Sequence, residues 1–439
     1  MTDSHIVLLS SPEAVNSDRF GPKAANQAAL GQAGLPIPDG FCIGEDAYRA
    51  QLVAAGLEEK MREFGEAVYE DARSIAIEIR LALYEGDMDP ALREEILAAR
   101  QALIDRTGEL MVVRSSALVE DREGSSFAGQ FESFLGLESE EDFITAVRAC
   151  WAALWSVRAL RYMDSHDINP ASTAMGLLVQ PLVTAVASGG GLSQMAAGGM
   201  RLNATWGLGE AIAQGEVVPD AYEINDDFEV IGMNLGRKSH RIGCEHHGSA
   251  NLHKSTDEEA EQHCLSEEQV LELAHFLKKS EAVIGMPAEI EWAMDDKGFK
   301  LLQVRPLQVN LPKAPTKVWR RHPGIQGQPS GTGVAEGRAC VINCECELSR
   351  VAPGDILITT VAGPSLSQIL PRVSGVVAEL GGSTSHLASL ARERGIPTVL
   401  GVQDATEVIP DGAQVSVDGT GGIVRWMGGA DTGRMNFAP

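Results

Sequence analysis

One histidine stands where covalent chemistry is easiest to place. Gly381-Gly382-Ser383-Thr384-Ser385-His386 runs directly into the helix-like stretch Leu387–Arg394. A tight glycine turn meeting a helix N-terminus gathers free backbone N–H groups and the positive end of the helix dipole, so the position favours an anion. A histidine there can be a nucleophile whose phosphorylated form is stabilised by its surroundings. The same spelling also suits a histidine that merely caps a helix, so other motifs must decide.

A second group lies at 289–306, where Glu289-Ile290-Glu291-Trp292 is followed by Gln303-Val304-Arg305-Pro306. Residues spaced i,i+2 on a strand share a face, so Glu289 pairs with Glu291 and Gln303 with Arg305. The intervening Asp295-Asp296-Lys297-Gly298 spells a hairpin turn that would bring the two pairs together. Paired strands would then offer oxygen ligands for Mg²⁺ and an arginine for a nucleotide phosphate. The alternative is a solvated strand face, and the hairpin favours the site.

Arg114-Ser115-Ser116 follows the strand-like Met111–Val113, and Ser125-Ser126-Phe127-Ala128-Gly129-Gln130 comes soon after. Small residues around a glycine let backbone N–H groups approach phosphate oxygens, and the arginine supplies charge. A plain turn fits this segment equally well. Gly21-Pro22-Lys23 places a lysine in a turn, and Trp206–Gly215 with Pro219-Asp220 is glycine-punctuated; each is weak alone.

These residues need strands and helices to hold them. Helix patterns cover Pro90–Leu103, with Asp89 as N-cap, and Glu141–Tyr162. Strand patterns cover Met111–Val113, Leu177–Val179, Ile290–Ala293 and Leu301–Val304. Around the glycine turn, short strands at Ile356–Thr359, Gly375–Ala378, Thr398–Val402, Gln414–Val417 and Gly422–Trp426 read as a compact α/β domain. Between the two groups, residues 309–325 carry three prolines and several charges, as an interdomain connector would. Extended, it could reach on the order of 55 Å at ~3.3 Å per residue.

The 439 residues allow two or three domains, and 44 % hydrophobic with 22 % charged residues is ordinary for a soluble globular enzyme. A net charge of −25 argues against nucleic-acid or anionic-membrane partners. No leader is expected from Met1–Ile6, and no run of membrane-spanning length is read. The seven scattered cysteines suggest reduced thiols and a cytoplasmic protein. Neither Cys344-Glu345-Cys346 nor Cys244 with His246-His247 supports a metal site.

In this order, the motifs resemble the superfamily of pyruvate phosphate dikinases, phosphoenolpyruvate synthases and rifampin phosphotransferases, over roughly residues 15–425. The resemblance implies an α/β fold: a two-lobed ATP-grasp nucleotide-binding domain at 1–308, a linker at 309–325, a swivelling phosphohistidine domain at 326–428 and a tail at 429–439. By resemblance, Mg-ATP pyrophosphorylates His386 with release of AMP, phosphate is lost, and phospho-His386 swings to an acceptor. Lys23, Arg114 and Arg305 would neutralise phosphate charge. The Gly129 loop would cover the phosphates, Gln180 and Val183 would flank the adenine, and Thr384 would position the transferred group. Glu291 with Gln303 would hold Mg²⁺, with Glu289 behind them or as another ligand.

Three departures qualify that reading. Ser188-Gly189-Gly190-Gly191-Leu192-Ser193-Gln194 replaces a Ser-Gly-Val segment and a Phe-Thr-x-Asp-Pro motif, and Ala378-Glu379 replaces a Thr-Asp pair. No pyruvate-binding barrel or drug-binding insert is expected. The expected function is therefore an AMP-forming phosphotransferase acting on a small-molecule acceptor. The alternatives are an autophosphorylating carrier serving a separate acceptor subunit, and a nucleotide sensor without turnover, which the retained motif residues disfavour.

Overall fold

The computed structural model describes residues 4–67, 69–120, 131, 133–245, 249–307, 319, 322, 324–361, 363, 366 and 368–427. Three larger sheets organise them. A five-stranded antiparallel sheet runs Ile6–Leu8, Phe41–Ile43, Met175–Pro181, Met111–Ala117, Ser133–Leu137. A six-stranded antiparallel sheet runs Gly298–Pro306, Ala288–Asp295, Ala187–Leu192, Met200–Trp206, Asp220–Ile224, Val230–Asn234. Together they form the two lobes of the N-terminal part.

The third sheet has eight strands, Gly324–Gln326, Ile423–Trp426, Gln414–Asp418, Val334–Ile342, Ile356–Thr359, Gly375–Ala378, Thr398–Leu400 and Gln328–Pro329. Its centre is parallel, from Val334–Ile342 through Thr398–Leu400. The parallel-paired segments, Ala339–Ile342, Ile356–Thr359, Gly375–Ala378 and Thr398–Leu400, are buried on both faces, which explains the Val and Ile in them. The α/β class and the two-domain arrangement follow. The third sheet begins at Gly324, inside the window read as linker; within that window Trp319 is buried, and most of its other residues lie outside the described set.

Local chemistry explains the main helices. Asp89 Oδ1 accepts from Leu92 N to cap Pro90–Thr107, which ends at Gly108 with φ 69°. The expected single helix Glu141–Tyr162 is two, Glu140–Ala153 and Val157–Asp164, because Ser156 caps the second by accepting from Ala159 N. Taken together, Glu140–Asp164 is long and apolar enough to cross a membrane, contrary to the sequence reading. Its most apolar window is 67 % buried within the protein, around Phe143, Trp151 and Trp155.

One continuous buried apolar cluster runs from Trp155 and Met163 in the N-terminal part to Leu387, Leu390 and Leu400 in the C-terminal sheet domain. The two domains are therefore packed against each other. A second correction concerns thiols: Cys344 and Cys346 form a disulfide, while Cys42, Cys150, Cys264 and Cys340 are buried and not disulfide-bonded. Residues 246–248 and the tail 429–439 lie outside the described residues, and with them the His246-His247 pair.

Candidate active site

The hairpin forms as its spelling requires. Ala288–Asp295 and Gly298–Pro306 pair so that Glu289 faces Arg305 and Glu291 faces Gln303 across the ladder. All four therefore share one face, and Trp292 turns to the other, into a core with Leu277 and Leu301. The two N-terminal sheets meet at Arg114. Its guanidinium, from the strand Met111–Ala117, donates to Gln303 Oε1 (2.9 Å), to Glu291 Oε2 (3.2 Å) and to the Leu302 carbonyl.

Lys23 is not in a turn but in the first turn of the helix Pro22–Gln32. Gly21 precedes it at φ 77°, and a Cβ there would fall 2.1 Å from the Ser116 carbonyl oxygen, so only glycine lets this helix start press on the strand. The Lys23 ammonium is buried, donating to Ser115 O (2.7 Å) and Glu120 Oε1 (2.9 Å).

His386 opens the helix His386–Glu393, which Ser385 caps by accepting from Ala388 N. The turn before it is fixed from the other domain. Gly381 N donates to Val217 O (3.0 Å), and Ser383 Oγ donates to Asn203 Oδ1 (2.5 Å). The glycine-punctuated segment up to Asp220 is thus the platform for this turn, while Asp220 itself is buried in an ion pair with Lys238.

A cavity of about 320 Å³ brings the predicted residues together: Lys23, Arg114, Gln180, Val183, Gln303 and Arg305 line it, with Glu291, Thr384 and His386. Thr384 Oγ1 is buried there without a hydrogen-bond partner among the described residues, a polar atom free for a ligand. Glu291 and Gln303 supply the hard oxygen atoms Mg²⁺ takes, and Arg114 already holds a cation against both. Two such ligands suit Mg²⁺ when phosphate oxygens and waters complete its shell. Among the described residues no group of three or more His, Cys, Asp or Glu side chains is gathered for a metal. Gly129 lies outside the described residues.

Electrostatics separate the roles. Burial pushes the His386 imidazole down to about 4, with Glu291 opposing and Arg305 assisting, so the ring is neutral near pH 7. Burial would raise the Glu289 carboxyl, but Arg305 and Arg392 overcome it and hold it at about 2. Burial likewise opposes, and Arg114 and Arg305 outweigh it, in keeping Glu291 below the usual carboxylate value. Glu210, which lines the same cavity, is shifted upward by burial and then by Glu216.

Of the two roles read for Glu289, the contacts leave room for the one behind the ligands and not for a ligand: it accepts from Arg305 (2.9 Å), from Arg392 (2.8 Å) and from Ser389 (3.1 Å). Glu379 serves Thr406, whose N and Oγ1 both donate to it, so its extra methylene has no bearing on the cavity. Sequence reasoning missed Glu120, Asn203, Ser389 and Arg392. Glu120, three residues beyond the Met111–Ala117 strand, and Arg392, in the stretch after His386, stood within or beside the motifs but no role was read for them.

Comparison with known proteins agrees with this geometry. Residues 17–322 match the family described as pyruvate phosphate dikinase, AMP/ATP-binding domain, and residues 351–422 match the PEP-utilising enzyme, mobile domain. The chain is 31 % identical over 417 residues to a probable phosphoenolpyruvate synthase of Methanothermobacter thermautotrophicus, covering 92 % of this chain and 61 % of that protein. It is 32 % identical over 459 residues to the phosphoenolpyruvate synthase of Aeropyrum pernix, covering 92 % and 56 %. The chain thus spans about three-fifths of the length of these relatives. With a matched nucleotide-binding domain over most of its length and a matched mobile domain around His386, the chain belongs to the pyruvate phosphate dikinase family.

Proposed function

We propose that this protein is an AMP-forming phosphotransferase that phosphorylates His386 from ATP and passes the phosphoryl group to a small-molecule acceptor. One observation carries the reading: a half-buried histidine, held well below its ordinary value and so neutral near pH 7, opens into the same cavity as Lys23, Arg114 and the Glu291–Gln303 pair. In this reading residues 1–308 bind nucleotide, 309–325 tether, and 326–428 carry the histidine.

The imidazole lone pair attacks the β-phosphorus of ATP, a P–N bond forms, and the bridging P–O bond to the α-phosphate breaks with its electrons leaving on AMP. Water then takes the terminal phosphoryl group as inorganic phosphate, leaving one phosphoryl group on His386. Lys23 and Arg114 would neutralise charge developing on the transferred group, and Thr384 Oγ1 would donate to it. Mg²⁺, held by Glu291 and Gln303, would neutralise charge on the nucleotide phosphates. For the acceptor there is room in a second cavity of about 580 Å³ between the domains, lined in part by Arg201, Glu223, Arg237 and Arg392.

Intact-protein mass after Mg-ATP treatment, with nucleotide analysis, tests this. The expected result is a phosphoryl or pyrophosphoryl adduct with AMP in the native protein and neither in His386→Ala. ATP binding without adduct or AMP would overturn the reading.

A further inference from the structure

The contacts that hold the histidine helix differ from those that would hold nucleotide. Glu289 of the N-terminal part sits between two guanidiniums, Arg305 of its own hairpin and Arg392 of the histidine helix. All three side chains are about 95 % buried. Arg392 is already fixed by its own domain: it donates to Ser330 O (3.2 Å), Ser383 O (2.5 Å) and Ser389 Oγ (3.1 Å). Its bond to Glu289 crosses the domain boundary. Ser389, one turn after His386, adds a second crossing by accepting from Arg305 (2.6 Å). The ends of this contact lie ~9 Å along the helix from His386 at 1.5 Å per residue.

We propose that Glu289 and Arg392 form a latch that holds the histidine helix in its ATP-facing position, with Arg392 as a positioning residue for phosphorylation of His386. The guanidinium is pre-oriented before the domains meet, so closing the latch orders little further. Glu289 is likewise pre-paired with Arg305. Separation would leave a balanced Glu289–Arg305 pair on one surface and take from Arg392 its contact with Glu289 on the other. The contact is therefore strong when made and specific for one arrangement of the two domains.

A steric feature at the same boundary provides an independent handle. A Cβ on Gly190 would lie 2.6 Å from Thr384 Cβ and 2.8 Å from Thr384 Cγ2, so the histidine turn seats only against a bare backbone. Gly190→Ala is a wedge that leaves Arg392 and Glu289 unchanged.

The proposal rests on the phosphohistidine reading only for its catalytic consequence, so the test has two readouts. Native protein, Arg392→Gln and Gly190→Ala are compared by hydrogen exchange over residues 386–393 and by single-turnover adduct formation with saturating Mg-ATP. Arg392 does not line the nucleotide cavity, so ATP affinity serves as the folding control for Arg392→Gln. Both variants are expected to exchange faster over 386–393. Both should form adduct roughly 30-fold more slowly or worse, as for a buried charge pair that loses one partner. ATP affinity of Arg392→Gln should stay within about twofold of native, since no nucleotide contact is lost. Native-like exchange or a native adduct rate in Arg392→Gln overturns the latch. If the native protein forms no adduct but Arg392→Gln still loses protection, the phosphohistidine reading falls and the latch stands. Should Arg392→Gln fail to fold, Gly190→Ala decides alone: unchanged protection there overturns the proposal.

Discussion

Lys23 shows how a single buried charge is made available to a ligand. Its ammonium is held by Glu120 and the Ser115 carbonyl, inside a wall of the cavity, so its position is set before any phosphate arrives. Removing the carboxylate leaves an unpaired buried cation. Glu120→Ala should therefore cost about 3–5 kcal/mol of stability and weaken ATP binding, as chemical denaturation and nucleotide titration would reveal. Glu120→Gln should lose less, because its amide oxygen can still accept from Lys23. Arg114 is a different case, since one planar fork reaches Glu291, Gln303 and the Leu302 carbonyl together. A lysine retains the charge but not that geometry. Arg114→Lys should lower the rate of adduct formation by about 10²-fold while thermal stability changes little, and single-turnover kinetics would check it.

Two adjacent glycines make contrasting demands on one strand. Gly189 lies in Ala187–Leu192 with its missing Cβ directed at the Asn203 backbone carbonyl, 1.8 Å from where the atom would be. Gly190 faces a side chain of the other domain instead. Gly189→Ala should therefore strain the six-stranded sheet itself, at about 3 kcal/mol, and lower the melting temperature of the whole protein. Gly190→Ala should leave that temperature nearly unchanged. A melting curve for each separates the cases, and an equal loss in both would refute the distinction. Neither role is legible in the sequence, where the three glycines read only as a departure from a motif. The Glu289–Gln303 hairpin was legible, because period-two spacing around Asp295–Gly298 is a local signal. Arg392 was not, because its partner lies 103 residues away and only the packing of the domains joins them. The break at Ser156 was missed for a related reason: apolar periodicity continues through the cap, and only the capping hydrogen bond marks a second helix.

At the scale of the molecule, the packed arrangement should depend on pH through His386. Its ordinary value is 6.5, and within the closed site burial, followed by the opposed charges of Glu291 and Arg305, brings it down to about 4. Above pH 6.5 the ring is neutral whether the domains are together or apart, so the equilibrium between them is flat. Between about 6.5 and 4 the separated form takes up a proton that the packed form refuses, so association weakens as pH falls. The full span corresponds to about 3 kcal/mol at 1.36 kcal/mol per unit, an upper bound because the separated histidine is only partly like a free one. Glu289 has the opposite chemistry but the same direction. Its carboxyl, held at about 2, contributes stability above its ordinary 4.5 that is lost as pH falls through that interval. Because Arg305 stays with Glu289 when the domains part, most of that lower window belongs to unfolding and not to separation. Interdomain distance followed by fluorescence energy transfer should therefore lengthen on acidification from pH 7 to pH 5. His386→Gln, which cannot titrate, should abolish the change over that range. A distance that shortens on acidification, or a response that survives His386→Gln, would place the titrating group elsewhere.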